Sequence, residues 1–284
     1  MKVIIFGAGR VGASFGYLLH KAGHHILGVK NNSLGSAQKA VKKMGAGQPL
    51  DKDQLSVYLK QADLVVITTP DDKIEKIAKM VQKYDLKAGV TLMQMSGLLA
   101  SDVLNRKGKD KVNVFSLHPL QSIPGFSRGI ETLPGAVYTL EGDEGGKKRG
   151  EKLCTELGLN YYHIKKELKP LYHISAVMSA NYLVTLIQAS YDLLASAGLE
   201  NEDMKHGIRH LVQGVLDNLE EKDPKDALTG PLARGDRDTI KKHLQNLEKY
   251  HTEYLELYKV LGKHTADLVG SRELFADLLE DQEN

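Results

Sequence analysis

Three glycines near the start of the chain constrain its fold more than any other feature. Gly7, Gly9 and Gly12 have the spacing G-x-G-x-x-G and directly follow a short apolar run at residues 3–6. Between a strand and a helix, this spacing forms a turn that binds a pyrophosphate, because the glycines permit the tight turn, the approach of the phosphates and close helix packing. The N–H groups that begin the helix also attract phosphate. The predicted loop consists of Gly7, Ala8, Gly9, Arg10, Val11 and Gly12.

Strand and helix patterns alternate through the first half of the chain. Apolar runs typical of buried strands occur at 26–29, 63–67, 90–95, 112–117 and 136–140, and helical periodicity occurs at 33–44, 71–84 and 145–157. This alternation predicts a mostly parallel, doubly wound sheet. Helical patterns then continue at 168–197, 201–219, 238–250 and 252–269. We therefore expect an α/β protein with a Rossmann dinucleotide-binding domain at 1–165 and an all-α substrate and dimerisation domain at 166–284.

Composition excludes several classes of function. The 38 Lys and Arg residues against 36 Asp and Glu give a formal charge of +2, so no charge excess indicates nucleic-acid binding. No apolar run is long enough to cross a bilayer. Cys154 is the single cysteine, and no Cys/His cluster has zinc spacing, so we expect neither a disulfide nor a metal site. The first residues resemble a strand rather than a secretory signal, which favours a cytoplasmic location.

The residues after the second predicted strand indicate which dinucleotide binds. NAD-binding chains usually place an acidic residue about 20 residues beyond the glycines, where it holds the ribose 2′-hydroxyl. This chain instead has Lys30, Asn31, Asn32 and Ser33. A cation with neighbouring hydrogen-bond donors suits a 2′-phosphate, so we predict NADP (NADPH) held by Lys30, Asn31 and Ser33. An ordinary polar turn is the structural alternative.

Three further loops follow predicted strands at the edge where ligands bind in such sheets. Thr68, Thr69 and Pro70 are predicted to lie over the adenine and ribose, and the next residue, Asp71, is a candidate cap of the following helix. Ser96 is a candidate contact for the nicotinamide or a substrate carboxylate. His118 is either a proton donor or a structural hydrogen-bonding residue.

The second half contributes the other candidate site residues. His173 and Asn181 lie eight residues apart, on roughly one face of an apolar helix, where polar side chains are either hydrogen-bonded or functional. The stretch 228–236 contains two glycines and a proline, which predict a loop presenting Thr229, Arg234 and Asp236. Arg234 is suited to bind a carboxylate through paired hydrogen bonds. Asp236 either holds Arg234 or caps the next helix.

These residues complete a recognisable set of segments. GAGRVG, TTPDDKI, SLHPLQSI, KPLYHISAVMSANYLV and LTGPLARGD, followed by His243, span most of the chain. The sequence resembles the bacterial family that joins a Rossmann-like domain to a C-terminal helical domain of unknown function (domain-of-unknown-function 2520 type). That family lies in the 6-phosphogluconate-dehydrogenase-like group, with pyrroline-5-carboxylate reductase and ketopantoate reductase.

The resemblance implies an NADP-dependent oxidoreductase with its site between the two domains, and a homodimer formed through the C-terminal helices. Reduction of a small 2-oxo acid carboxylate, with ketopantoate as the best single candidate, is the leading interpretation. Alternatives are a cyclic imine reductase, as in pyrroline carboxylate chemistry, and an NADP-binding regulatory protein without turnover. Related hydroxyacid dehydrogenases have a lysine four residues before the helix asparagine. This chain has Val177 there, so His173 is the substitute proton donor, with Asn181 polarising the carbonyl.

Overall fold

A seven-stranded sheet organises the first part of the computed structural model, which describes residues 1–105 and 112–280. The strands are β1 (Lys2–Phe6), β2 (His25–Lys30), β3 (Leu64–Ile67), β4 (Thr91–Gln94), β5 (Asn113–Pro119), β6 (Val137–Gly142) and β7 (Asn160–His163). Their order is β2-β1-β3-β4-β5-β6-β7. Strands β1 to β5 run parallel, β6 is antiparallel to β5, and β7 is parallel to β6.

Helices connect the strands and then make up the remainder of the described chain. They are α1 (Arg10–Lys21), α2 (Leu34–Met44), α3 (Leu55–Leu59), α4 (Asp71–Val81), α5 (Phe126–Thr132), α6 (Glu144–Leu157), α7 (Lys169–Ala176), α8 (Tyr182–Ser196), α9 (Glu202–Glu221), α10 (Pro224–Ala227), α11 (Pro231–Arg234), α12 (Arg237–Tyr250), α13 (Leu255–Val269) and α14 (Arg272–Leu279). A π-helical turn, Val177–Asn181, joins α7 to α8. No helix in the described residues is long and apolar enough to cross a membrane.

Apart from the edge strand β7, the sheet is buried on both faces. Side chains alternate along β1, so Val3 and Ile5 join one apolar cluster while Ile4 and Phe6 join a second. The first cluster includes residues of α1, α2 and α6, and the second includes residues of α3 and α4. Burial on both faces explains the continuous apolar runs that predicted these strands.

The chain divides into two compact units, Met1–Ala180 and Asn181–Asn284. The first unit contains the sheet and extends through α7. The second is helical, and its apolar cluster consists of Ile240, Leu244, Ala266, Phe275 and Leu279. The division into a dinucleotide-binding domain at 1–165 and a substrate domain at 166–284 stays a prediction about function.

Two predicted elements need correction. The stretch 228–236 is not entirely a loop, because α11 (Pro231–Arg234) forms one helical turn within it, with proline at its start and Gly235 at φ +72° after its end. The predicted helix at 168–197 does not keep α-helical hydrogen bonding throughout, since the π-helical turn interrupts it. An extra residue per turn shifts the side chains that follow.

Candidate functional site

The glycine loop has the local geometry that the sequence predicts. Gly7 has φ +87°, and a Cβ there would lie 2.5 Å from Thr69 Cγ2, so the turn excludes a side chain. A Cβ at Gly12 would overlap the Thr68 hydroxyl. A Cβ at Gly9 would meet only the Gly7 carbonyl oxygen, at 3.8 Å. Gly7 and Gly12 are therefore required by packing, whereas Gly9 leaves the backbone approachable from outside.

A cavity of about 370 Å³ lies against this loop. Its walls are Phe6, Gly7, Gly9, Lys30, Asn31, Asn32, Ser36, Thr68, Thr69, Pro70, Lys73, Ile77 and Met80. The cavity lies at the carboxyl ends of β1 and β3, where the strand order reverses and where ligands bind in open α/β sheets. The side chains of Lys30 and Lys73 have no hydrogen-bond or ion-pair partner in the described part of the chain. The cavity therefore offers two unpaired cations to an anionic ligand.

The other predicted cofactor residues differ in their placement. Asn31 Oδ1 accepts a 2.8 Å hydrogen bond from the Ala8 amide, which ties the end of β2 to the glycine loop. Thr68 Oγ1 donates to the Gly7 carbonyl oxygen at 3.0 Å. Ser33 caps α2, as the sequence suggested, by accepting from the Ser36 amide at 3.2 Å. Its hydroxyl is committed to that cap.

Arg10 and Val11 begin α1. Arg10 is exposed, and Val11 is half-buried against the sheet core. The preceding residue, Gly9, provides no side-chain cap, so the first N–H groups of the helix keep their capacity to bind an anion.

Ser96 is buried, and all the hydrogen-bonding capacity of its hydroxyl is in use. Its Oγ donates to Asp71 Oδ2 at 2.7 Å and accepts from the amides of Leu98 and Leu99 at 3.1 and 2.9 Å. The predicted cap role of Asp71 is wrong, because Pro70 occupies the cap position of α4 and the Asp71 carboxylate accepts from Ser96 instead. The Ser96 hydroxyl thus organises the loop after β4.

Lys169, the first residue of α7, is fully buried beside that loop. Its Nζ donates to the Ser96 carbonyl oxygen at 2.9 Å and to Ser116 Oγ at 2.8 Å. Burial lowers the pKa of the ammonium to about 8, although the carboxylates of Glu141 and Asp71 oppose this change. Lys169 therefore joins the start of α7 to β5 and to the loop after β4.

Tyr172 and His173 lie one turn after Lys169 on α7, and both are close to His118 on β5. His118, on β5, shares a 2.8 Å hydrogen bond between its Nδ1 and the Tyr172 hydroxyl. The rings of His118 and His173 are nearly perpendicular, with centroids 6.1 Å apart. Burial, followed by the charges of Lys169 and His173, lowers the pKa of His118 to about 4. His118 is therefore a neutral imidazole at physiological pH.

The candidate residues of the second unit lie on exposed or half-buried positions. Asn181, Thr229 and Arg234 are exposed, and among the described residues their side chains make no hydrogen bond or ion pair, although the charge of Arg234 acts on Asp236. Asp236 caps α12, because its carboxylate accepts from the amide and hydroxyl of Thr239 at 3.1 and 2.7 Å. Of the two roles considered for Asp236, the structure gives the helix cap.

The structure thus brings Ser96, His118 and His173 together within the first unit. The catalytic and substrate-binding roles of these residues, and of Asn181, Thr229 and Arg234, stay predictions. The sequence interpretation gave no role to Lys169 or Tyr172. The segment Lys-Pro-Leu-Tyr-His did carry a signal, since residues at positions i, i+3 and i+4 share one helix face.

Two family models match this chain. A Rossmann-like domain matches residues 1–119, and a domain of unknown function (DUF2520) matches residues 136–265. The chain thus combines a Rossmann-like domain with a DUF2520 domain. The family resemblance and the fold class expected from the sequence are therefore confirmed. The DUF2520 match begins at the last part of the sheet, so it includes β6, α6 and β7 as well as helices.

Solved structures share this fold at low sequence identity. A candidate NADP oxidoreductase from Bacteroides fragilis has a TM-score of 0.76 and 18% identity, with coverage of 94% of this chain and 98% of that one. The protein TM1727 from Thermotoga maritima has a TM-score of 0.72 and 24% identity, over 95% and 99%. A 1-pyrroline-5-carboxylate reductase from Streptococcus pyogenes has a TM-score of 0.63 and 16% identity, over 96% and 98%. No curated protein matches the chain.

Proposed function

We propose that this chain is an NADP(H)-dependent oxidoreductase that reduces a small 2-oxo acid, with ketopantoate as the best single candidate. The cavity at the glycine loop carries the proposal, because Gly9 leaves the backbone approachable there and two unpaired lysines line the wall. The fold shared with the candidate NADP oxidoreductase and with pyrroline-5-carboxylate reductase supports the enzyme class.

The residues around the cavity suit NADPH. The start of α1 has uncapped N–H groups for the pyrophosphate, and Lys30 and Lys73 supply positive charge for the 2′-phosphate. Asn31 holds the glycine loop in place through the Ala8 amide. When bound, NADPH supplies a hydride to a carbonyl or imine carbon.

The histidines lie on the side of the sheet expected for the nicotinamide. Lys30 ends β2 on one side of β1, whereas β4 and β5 lie on the other side, so a dinucleotide across the switch point extends from Lys30 towards His118. In this proposal His173 acts as the general acid and gives a proton to the substrate oxygen. Arg234 binds the carboxylate and Asn181 polarises the carbonyl.

A cyclic imine is the second candidate substrate. The fold shared with pyrroline-5-carboxylate reductases favours it. Lys169 Nζ is buried and donates two hydrogen bonds to the protein, so this proposal gives the role of proton carrier to the histidines. Reduction of an imine needs a weaker acid than reduction of a ketone, so it places a smaller demand on them.

A panel of 2-oxo acids and cyclic imines, scored for NADPH oxidation, tests the proposed function. Turnover of ketopantoate supports the leading candidate, and turnover of the imines alone selects the second. NADPH binding without oxidation by any member of the panel would instead indicate a regulatory protein.

We also propose a homodimer formed through the C-terminal helices.

A further inference from the structure

The histidine pair packs against a glycine that has no room for a side chain. A Cβ at Gly97 would lie 2.7 Å from His173 Nδ1 and 2.9 Å from His118 Nε2, so both nitrogens approach the same small space. His173 Nδ1 is buried and has no hydrogen-bond partner within residues 1–105 and 112–280. Gly97 is not at a positive φ, so only the space above it requires a glycine.

Three side chains on one face of α7 hold the histidine pair in place. Lys169, Tyr172 and His173 lie at positions i, i+3 and i+4, which places them side by side on the helix. Lys169 is bonded to the loop after β4 and to β5, so the helix start cannot shift without breaking two buried hydrogen bonds. Tyr172 and His173 are consequently held against the histidine on β5.

The contact of Tyr172 defines the hydrogen-bonding state of His118. The Tyr172 hydroxyl and His118 Nδ1 share a 2.8 Å hydrogen bond, in which we assign the phenol as the donor. An imidazole that accepts at Nδ1 carries its own proton at Nε2. Burial first, and then the nearby ammonium of Lys169, lower the pKa of His118 and so oppose a second proton on the ring. His118 Nε2 has no partner among the described residues, so its N–H is available to a ligand.

We propose that Lys169 and Tyr172 are positioning residues that hold His118 as a neutral Nε2–H donor beside His173 and above Gly97. The catalytic part of this inference rests on the proposed function, and it gives the two histidines different roles. His118 donates a hydrogen bond to the substrate oxygen and keeps its proton throughout. His173 transfers the proton, so the oxygen anion formed by hydride addition becomes a hydroxyl.

The state of His118 can be measured without turnover by ¹⁵N NMR of histidine-labelled protein. We expect the Nε2–H form to dominate from pH 5 to pH 8 in the unmodified protein. Tyr172→Phe removes the donor to Nδ1 and should at least halve the ratio of Nε2–H to Nδ1–H forms. Tyr162→Phe is the matched control, because Tyr162 is exposed and has no side-chain hydrogen-bond partner in the described part of the chain.

Lys169→Met should raise the pKa of His118 without restoring its ordinary value, because the charge of Lys169 is removed while the burial that lowers the pKa most remains. Lys169→Met risks misfolding, and Tyr172→Phe tests the same inference with a smaller change. An unmodified protein in which His118 titrates near its ordinary pKa would overturn the inference. So would identical tautomer ratios in Tyr172→Phe and Tyr162→Phe.

Activity provides a second, separable measurement. Gly97→Ala should lower kcat at least tenfold while NADPH affinity changes less than twofold, because its Cβ displaces the two rings and not the cofactor. Gly135→Ala is the control, since its Cβ meets nothing within 4 Å. If no substrate is turned over but the NMR result holds, the proposed function fails and the positioning of His118 stands. Normal kcat in Gly97→Ala would contradict the assigned role of the histidine pair.

Discussion

At the scale of single residues, the burial of Lys169 could not be predicted from the sequence. A lysine at the start of a helix is normally exposed, and although the local sequence puts this one on the same helix face as Tyr172 and His173, it does not indicate that the lysine is buried. Its burial depends on acceptors contributed by β5 and by the loop after β4, which are distant in the chain. The glycines were predictable because their spacing is itself the signal. The lysine was not, because its partners come from tertiary structure.

Lys30 provides a residue-scale prediction about the cofactor. We expect NADPH to bind at least tenfold more tightly than NADH, a difference of about 1.4 kcal/mol. Lys30→Asp should narrow or reverse this preference, since a carboxylate repels a 2′-phosphate and accepts from a 2′-hydroxyl. Fluorescence titration with NADPH and with NADH measures the ratio of the two affinities in each protein. Lys76→Asp, on α4 beside the cavity but outside its wall, should leave the preference for NADPH intact. Equal affinities in the parent protein would contradict the assignment of NADP.

His118 provides a second prediction, about stability and pH. Its pKa is about 4 in the folded protein and near 6.5 in the unfolded chain, so the unfolded chain binds more protons between these values. Stability should therefore fall as pH decreases from 6.5 to 4, by up to about 3 kcal/mol. Urea unfolding across this range should show a shallower loss in His118→Gln. Replacement of the exposed His210 by Gln should leave the pH profile of the parent unchanged.

At the scale of elements, hydrophobic periodicity predicted the buried strands and the long helices, because burial on one or two faces creates those patterns. It missed β7 (Asn160–His163), whose polar and aromatic residues are largely exposed at the edge of the sheet. It also missed the turn α11, since Pro231 and Gly235 bracket only four helical residues. Short or exposed elements leave no periodic signal, and their form depends on the structure around them.

The connection between β1 and α1 leads to a prediction at this scale. Thr68, just after β3, hydrogen-bonds the Gly7 carbonyl and occupies the space beside Gly12. Gly12→Ala should destabilise the protein by about 1–3 kcal/mol, because the new methyl group overpacks that contact. NADPH affinity should fall with it as the loop moves. Gly35→Ala in α2 should be neutral or stabilising, since open space surrounds it. Thermal unfolding with and without NADPH compares the Gly12→Ala and Gly35→Ala proteins. Equal melting temperatures for these two variants would refute the packing argument.

At the scale of the whole molecule, the second unit has little interior of its own. Helix α9 has no buried residue along its 20 positions, and α8 buries only Ala189. Leu211, Val215 and Leu219 are 66%, 50% and 42% exposed and lie at i, i+4 and i+8, so they form one apolar stripe on α9. Contiguous apolar surface of this kind is typical of a protein interface.

The last prediction follows from this stripe: the chain sediments as a dimer at micromolar concentration, and a second copy covers α9. Leu211→Glu with Val215→Glu should dissociate the dimer, because burying two unpaired carboxylates costs more than the apolar contact contributes. Gln213→Glu, on the opposite face of the same helix, should not. Sedimentation velocity separates these outcomes. A monomeric parent protein would contradict the prediction, because the exposed stripe on α9 would then not be covered by a second copy of the chain. Loss of the dimer in Gln213→Glu as well would show that added charge, rather than the apolar stripe, controls assembly.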